Sequence, residues 1–417
     1  MARMTTAALI ERALGHAPVA VAAYDGSTAG PADAKVRLVL HSPKALSYLI
    51  SAPSSLGLAR AFVSGELEIQ GDPYDALTLV WSDRIGELSW AERLTILRNI
   101  DPKALRWVDP PPEEYGARRL RDGLRHSKSR DAAAISHHYD VSNRFYEWVL
   151  GPSMTYTCAC YPTEDASLEE AQAHKYDLVA RKLNLRPGMR LLDVGCGWGG
   201  MVRHAAKHYG VQALGVTLSR RQAEWAKERI ASDGLGHLAE VRFSDYRDVT
   251  DTDFDAVSSI GLTEHIGKAN LPAYFSFLAS KLRVGGRLLN HCITRPTTTE
   301  SNRFGGFIDR YVFPDGELEG VGTIITAMQD HGFEVRHEEN LREHYARTLA
   351  GWCANLATHW DEAVAEVGAG RARVWALYMA GSRLGFERHT LELHQVLGVK
   401  FAADGNSHMP LRPDWGV

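Results

Sequence analysis

Leu191-Leu192-Asp193-Val194-Gly195-Cys196-Gly197-Trp198-Gly199-Gly200 is the stretch that decides the fold of this chain. An apolar run, Arg190–Val194, ends in a glycine-rich turn, and a helical pattern over 199–209 opens directly behind it. Glycine lets a backbone turn tightly and approach a ligand closely, so strand, turn and helix read as the first unit of a nucleotide-type site. The alternation continues outward. Upstream, residues 169–185 are helical and close at Arg186-Pro187-Gly188. Downstream, 211–216 is a strand, and Ser219 caps a helix over Arg220–Ser232. Residues 240–243, 256–260 and 287–293 are further short apolar strands. Strands separated by helices predict an α/β fold with a parallel sheet covered on both faces. Ligands of such a sheet bind at the carboxyl ends of its strands.

The chain has 417 residues, 45% hydrophobic and 24% charged, a globular composition with room for two or three domains. Its formal charge of −4 argues against a dedicated nucleic-acid binder, whose surface would be strongly basic. No run approaches the roughly 20 apolar residues that cross a bilayer, and residues 1–16 lack the apolar core of a secretory signal. The five cysteines are irregularly spaced, and Cys158 and Cys160 stand one residue apart, which suits neither a zinc knuckle nor a redox pair. No metal is expected, and a reduced cytoplasm is the expected compartment.

Residues 1–108 mix strand signals (36–40) with a helix-to-alternation change over 59–69, before the turn Gly71-Asp72-Pro73. This predicts a small α+β amino-terminal domain. A linker, 109–136, begins Asp109-Pro110-Pro111-Pro112, which cannot be helix interior. It continues into a basic run, 118–130, with a formal charge of +5. A catalytic domain is expected over 137–400, and an extended tail rich in Gly, Pro, Asp and Asn over 401–417.

The GxGxG spacing behind an acid-containing strand resembles motif I of class I S-adenosylmethionine-dependent methyltransferases. That resemblance implies a Rossmann-like sheet with helical insertions, the loop packing on the methionine part of the cofactor, and Asp193 orienting one or the other. The strand after it ends Gly215-Val216-Thr217-Leu218-Ser219, with no carboxylate for the ribose. Thr217 and Gln222 offer neutral hydrogen bonds there. Tyr246, in Ser244-Asp245-Tyr246-Arg247, offers a ring for the adenine face. The cofactor-binding candidates are Tyr156, Thr157, Asp193, Gly195, Gly197, Thr217, Leu218, Gln222, Tyr246 and Arg247.

Read with Thr155-Tyr156-Thr157-Cys158-Ala159, Gly261-Leu262-Thr263-Glu264-His265-Ile266-Gly267 and Asn290-His291-Cys292-Ile293, these motifs resemble the cyclopropane fatty acid synthase family over about 137–397. His138-Tyr139-Asp140-Val141-Ser142-Asn143 looks like its opening motif. Phe307-Ile308-Asp309-Arg310-Tyr311-Val312-Phe313-Pro314 and His344-Tyr345-Ala346-Arg347-Thr348-Leu349 are similarly diagnostic. The resemblance implies methyl transfer from S-adenosylmethionine to an alkene, giving a carbocation on the acyl chain. A base then removes a proton so that the ring closes. In the family that base is bicarbonate, held here, by motif, at the Cys158 backbone region, Glu264, His291, the Ile293 backbone and Tyr345. Glu264 would orient the anion, and His291 and Tyr345 would donate to its oxygens.

Each residue alone has a plainer reading: Glu264 as a helix-end acid, His291 as a core histidine, Tyr345 as a packing residue, Cys158 as a small buried hydrophobe. Their order within family motifs favours the catalytic reading. Thr263 and Cys160, where the family commonly has an aromatic (or Met at the first), and Glu319, where it has Pro, depart from the pattern. They put the acyl channel and the product in doubt.

The extra amino-terminal residues resemble members acting on intact phospholipids. An unsaturated phospholipid acyl chain is therefore the expected substrate, met at the inner membrane face, where the basic run would face anionic headgroups, each basic residue contributing about 1 kcal/mol. A homodimer is expected. A methylene- or methyl-branched, tuberculostearic-type product and a non-catalytic lipid or cofactor binder are the alternatives.

Overall fold

Leu191 and Leu192 are adjacent on one strand and both fully buried, yet they belong to different apolar clusters. Successive strand side chains point to opposite faces, so this strand lies inside a sheet covered on both sides. The computed structural model describes residues 4–52, 55–80, 99, 102–115, 142–298, 306–313, 316–413 and 415. The basic run 118–130 and the opening motif up to Val141 lie outside the described residues, as does Pro314.

Two compact units are present. The first holds four strands, β1 (Ala20–Ala23), β2 (Thr28–Ala29), β3 (Arg37–Leu40) and β4 (Leu67–Gln70), in the order β2-β1-β3-β4. β1 and β3 are parallel and the other pairs antiparallel. Helices Thr6–Ala13, Pro43–Ser51, Ser55–Val63 and Pro73–Val80 accompany them, around a core that includes Val21, Leu38, Leu46, Tyr48 and Leu67. This is the α+β domain expected from the sequence.

Residues 306–312 and 360–384 also group with this unit rather than with the sheet that surrounds them in sequence. Glu114 explains part of this. Its buried carboxylate accepts two hydrogen bonds from Arg60 (2.7 and 2.8 Å) and one from Tyr311 Oη (3.2 Å). Tyr115 N–H donates to the Arg310 carbonyl (2.7 Å). A buried carboxylate needs such partners. Reading the chain as consecutive blocks hides Tyr311 and Arg310, because they come from about two hundred residues away.

The second unit contains β5 (Arg190–Val194), β6 (Gln212–Thr217), β7 (Ala239–Phe243), β8 (Phe254–Ile260), β9 (Leu282–Thr294), β10 (Glu334–Asn340) and β11 (Glu392–Val399). Their order is β10-β11-β9-β8-β5-β6-β7. β9, β8, β5, β6 and β7 run parallel, and β11 and β10 add antiparallel pairings. Those last two strands went unread in the sequence, since β10 (Glu-Val-Arg-His-Glu-Glu-Asn) is mostly polar.

The helices of this unit are α1 (Asn143–Leu150), α2 (Leu168–Leu183), α3 (Gly200–Tyr209), α4 (Arg220–Ser232), α5 (Leu271–Lys281), α6 (Val321–Asp330) and α7 (Arg342–Thr358). α2 starts in a capping box, Ser167 with Glu170, and stops at Asn184 in the left-handed conformation. Beyond β11, residues 401–413 carry no helix or strand.

From β5 the chain moves to β6 and β7, then returns to β8 on the other side of β5. That reversal opens a crevice at the strand carboxyl ends. Phe275 on α5 is fully buried in the cluster formed with Leu192, Val257, Leu288 and Met328. Phe275→Ala should therefore destabilise this unit by about 3–5 kcal/mol, read as a lower denaturant midpoint with unchanged slope; a midpoint equal to wild type would contradict this packing.

Candidate active site

The crevice is an open pocket of about 110 Å³. Its floor comes from Asp193, Gly195, Cys196 and Gly197 at the carboxyl end of β5, Val216 to Leu218 at that of β6, Ser244 and Tyr246 at that of β7, and Ile260 to Leu262 at that of β8. The segment Met154 to Thr157 forms another wall. Every cofactor candidate named from the sequence lines this pocket except Arg247. Arg247 instead turns back on Asp245, with hydrogen bonds of 2.8 and 2.6 Å from its guanidinium. A planar fork matches a carboxylate so well that the neighbouring acid captures it.

The turn itself needs glycine. Gly195 and Gly197 have φ of +74° and +54°. A Cβ at Gly195 would stand 3.2 Å from Leu262, whereas nothing lies within 4 Å of one at Gly197. That open space beside a half-buried turn is what a ligand in backbone contact requires. Behind it, Gly195 N–H and Cys196 N–H both donate to the Val216 carbonyl (3.0 Å each), clamping the loop onto β6. Thr217 Oγ donates to the Gln222 side-chain oxygen at 2.8 Å. This leaves the Gln222 amide hydrogens, and no carboxylate, at the end of β6. Tyr246 is held edge-on by Tyr274 and Phe277, with ring centres 5.3 and 5.4 Å away.

Two charged groups under the pocket are buried. Asp193 accepts from Ser258 Oγ at 2.6 Å, and burial raises its carboxyl to about 7. Lys175, fully buried on α2, donates to Thr157 Oγ at 3.0 Å and lies 3.7 Å from the Tyr176 ring centre. Burial pulls its ammonium down to about 7. Lys175 was not read from the sequence. Its signal was there: Lys175, Leu178, Val179 and Lys182 share the buried stripe of α2, so two lysines occupy apolar positions.

None of Cys158, Glu264, His291, Ile293 and Tyr345 lines the cofactor pocket. They are nevertheless tied together. Glu264 Oε1 accepts from Ile293 N–H at 2.7 Å, and Ile293 pairs with Leu393 across β9 and β11. The Leu393 carbonyl accepts from Leu341 N–H (2.8 Å), and the Leu341 carbonyl accepts from Tyr345 N–H (3.2 Å) and from the Cys158 thiol (3.8 Å). His291 lies two residues before Ile293 on the same face of β9. Tyr345 packs against Trp352, whose ring centre is 5.4 Å from that of Tyr156 in the pocket wall.

Two atoms of this cluster stand out. Glu264 Oε2 and His291 Nε2 are buried and have no hydrogen-bond partner among the described residues. Burial raises the Glu264 carboxyl to about 7 and holds His291 well below the usual imidazole range, so the ring is neutral. Cys158 is buried with its thiol pushed well above the ordinary range, which leaves it inert.

The sequence matches the mycolic acid cyclopropane synthetase family over residues 126–396. The chain belongs to that family. It is 56% identical to a probable fatty acid methyltransferase of Mycobacterium tuberculosis, over 99% of both chains. It is 34% identical to the cyclopropane-fatty-acyl-phospholipid synthase of Escherichia coli, over 67% of this chain and 71% of that one. Mycolic acid cyclopropane synthase CmaA1, solved with S-adenosylhomocysteine (SAH) and CTAB, superposes with a TM-score of 0.61 at 32% identity, covering 64% of this chain and 97% of that one.

This cyclopropane synthase family member is thus an S-adenosylmethionine-dependent methyltransferase of the lipid-modifying type. The glycine cradle and the neutral donors at the end of β6 fit that cofactor. The two orphan atoms, one on an acid and one on a neutral imidazole, are each of a kind that can hydrogen-bond a small oxyanion.

Gly197→Asp should abolish SAH binding by calorimetric titration, because a side chain and a negative charge would fill the cradle; unchanged affinity would displace the cofactor from this loop. Glu264→Gln tests the buried carboxyl. Its folded pKa, about 7, lies above the ordinary 4.5. The stability it contributes is therefore full below about pH 4.5 and lost as pH rises through about 7. Glutamine does not titrate, so the variant should gain on wild type from about pH 5 to 8, by an amount on the order of 3 kcal/mol. A stability difference flat across that range would show that Glu264 is solvated.

Proposed function

We propose that this enzyme transfers a methylene unit from S-adenosylmethionine to the cis double bond of an unsaturated phospholipid acyl chain and closes a cyclopropane ring. The observation that carries the reading is the pair of buried, unpartnered atoms, Glu264 Oε2 and His291 Nε2, on a cluster tied to Cys158, Ile293 and Tyr345. Bound S-adenosylmethionine supplies an electrophilic methyl group. Tyr156, Thr157, Asp193, Gly195, Gly197, Thr217, Leu218, Gln222 and Tyr246 form its cradle. Bound bicarbonate supplies the base that the last proton needs.

The chain's own residues do the rest. Glu264, protonated below about pH 7, can share a proton with an oxyanion, and the neutral His291 can donate to one. The aromatic wall of Tyr156, Trp352 and Tyr345 excludes water and offers ring faces to developing positive charge. The phospholipid assignment is supported by the amino-terminal α+β unit and by the printed activity of the Escherichia coli relative. No helix among the described residues is long and apolar enough to cross a membrane.

A second reading has its own support. Thr263 Oγ donates to Asn290 Oδ1 at 2.6 Å, and Glu319 lies 3.5 Å from the Lys268 ammonium. Both residues line a small cavity with Glu264. These polar groups stand where family members commonly carry an aromatic or Pro. Together with the fatty acid methyltransferase name of the 56% identical relative, they favour loss of a different proton and a methylene- or methyl-branched chain.

The test is incubation with labelled cofactor and unsaturated phospholipid vesicles, then mass spectrometry and NMR of the fatty acid esters. Gain of one CH2 with ring protons is expected, whereas olefinic methylene protons would establish the second reading. Glu264→Gln should keep SAH affinity and lose about 10²-fold to 10⁴-fold in turnover. Full turnover of that variant in bicarbonate-free buffer would overturn the role given to the cluster.

A further inference from the structure

The neutral imidazole of His291 has two forms, and only one can donate from Nε2. Its neighbours decide between them. His291 pairs directly with Gln395 across β9 and β11, and the Gln395 amide nitrogen lies 3.2 Å from His291 Nδ1. The other end of that amide faces Lys182, whose Nζ is 2.7 Å from Gln395 Oε1. Lys182 comes from the buried stripe of α2 and also pairs with the Glu339 carboxylate on β10. Lys182, Gln395 and His291 are all buried.

An ammonium has donors and no acceptor. It therefore fixes the carboxamide with oxygen toward Lys182 and nitrogen toward His291. An amide nitrogen is itself only a donor, so the Nδ1 it meets must carry the lone pair. The hydrogen of the neutral ring is then on Nε2, the atom left without a partner among the described residues. Side chains from α2, β10 and β11, none of them lining the cofactor pocket, thus reach one ring nitrogen through a single bridge.

We propose that Lys182 and Gln395 are positioning residues that lock His291 as its Nε2–H tautomer, so that it presents a donor rather than a lone pair to the oxyanion; this rests on the base-cluster reading above. Glu339 acts one step further out, keeping the Lys182 charge balanced. The ordering is one of reach: Gln395 touches the ring, Lys182 touches Gln395, and neither touches the reacting atoms.

The test uses the full-length protein labelled with 15N in its histidine rings, free of substrate and bicarbonate. His291 is assigned by the signal lost in His291→Asn. Two-bond proton–nitrogen correlation should show a protonated Nε2 and an unprotonated Nδ1 from about pH 6 to 8. A wild-type ring with its hydrogen on Nδ1 overturns the proposal at once, whatever the variants do.

Gln395→Glu keeps the shape and the bond to Lys182 but offers His291 an acceptor. The ring hydrogen should move to Nδ1. Turnover should fall on the order of 10²-fold or more, as wrong-tautomer changes do at other catalytic histidines, with SAH affinity and lipid KM unchanged. Lys182→Met, which frees the amide to rotate, should give a mixture of both ring forms and a smaller loss. A Gln395→Glu protein that keeps the Nε2–H form, or loses SAH affinity in step with turnover, refutes the positioning role. Because the tautomer is read without bicarbonate, a bicarbonate-independent wild type would sink the base reading and leave this result standing.

Discussion

Two ammonium groups on one buried helix face set the terms for much of the catalytic unit. Lys175 and Lys182 sit two turns apart on α2 and are both fully buried. A charge removed from water must be paired or hydrogen-bonded, or it loses its proton. Each lysine meets that demand differently. Lys175 reaches Thr157 in the pocket wall and shares the buried space of Asp193 beneath the glycine loop. Lys182 reaches across the sheet to Glu339 and Gln395. The helix thereby connects the pocket wall and β5 with the histidine on β9, and a packing of helix on sheet that would otherwise rest on apolar contact acquires directional side-chain bonds.

Directional bonds matter here because apolar packing is tolerant. Leu191, Val202 and Ala226 on one face, and Leu192, Val257 and Phe275 on the other, hold the strands in register. They do not dictate which way an amide or an imidazole faces. The polar residues that are buried do, and they cluster where orientation has chemical meaning: Asp193 with Ser258, Thr217 with Gln222, Thr263 with Asn290.

Much of this was legible in the sequence, for identifiable reasons. The parallel strands and α3 and α4 follow from short apolar runs, Ser219 as a cap, and glycines at Gly195 and Gly197 whose backbone is left-handed. Glu264, His291 and Tyr345 were picked by motif; the structure links the Glu264 carboxylate to the Tyr345 backbone through Ile293, Leu393 and Leu341, and His291 stands two residues from Ile293 on β9. Three things were not legible. β10 is largely polar because it lies at a sheet edge, so alternation cannot reveal it. Arg247 lines up with the pocket in sequence but is captured by Asp245. Lys175 and Lys182 interrupt the apolar stripe of α2, but that pattern does not state what they meet, and Gln395 carries no local signal of what lies across the sheet.

The discontinuous first unit has a consequence for synthesis. Glu114 is translated with Arg60 already made, but Tyr311 follows 197 residues later. At about 5–20 residues per second, the carboxylate waits roughly 10–40 s for that phenol. Over the same interval β5 to β9 leave the ribosome in order and can pair with one another. The amino-terminal unit, first to be made, is therefore among the last parts of the chain to be completed.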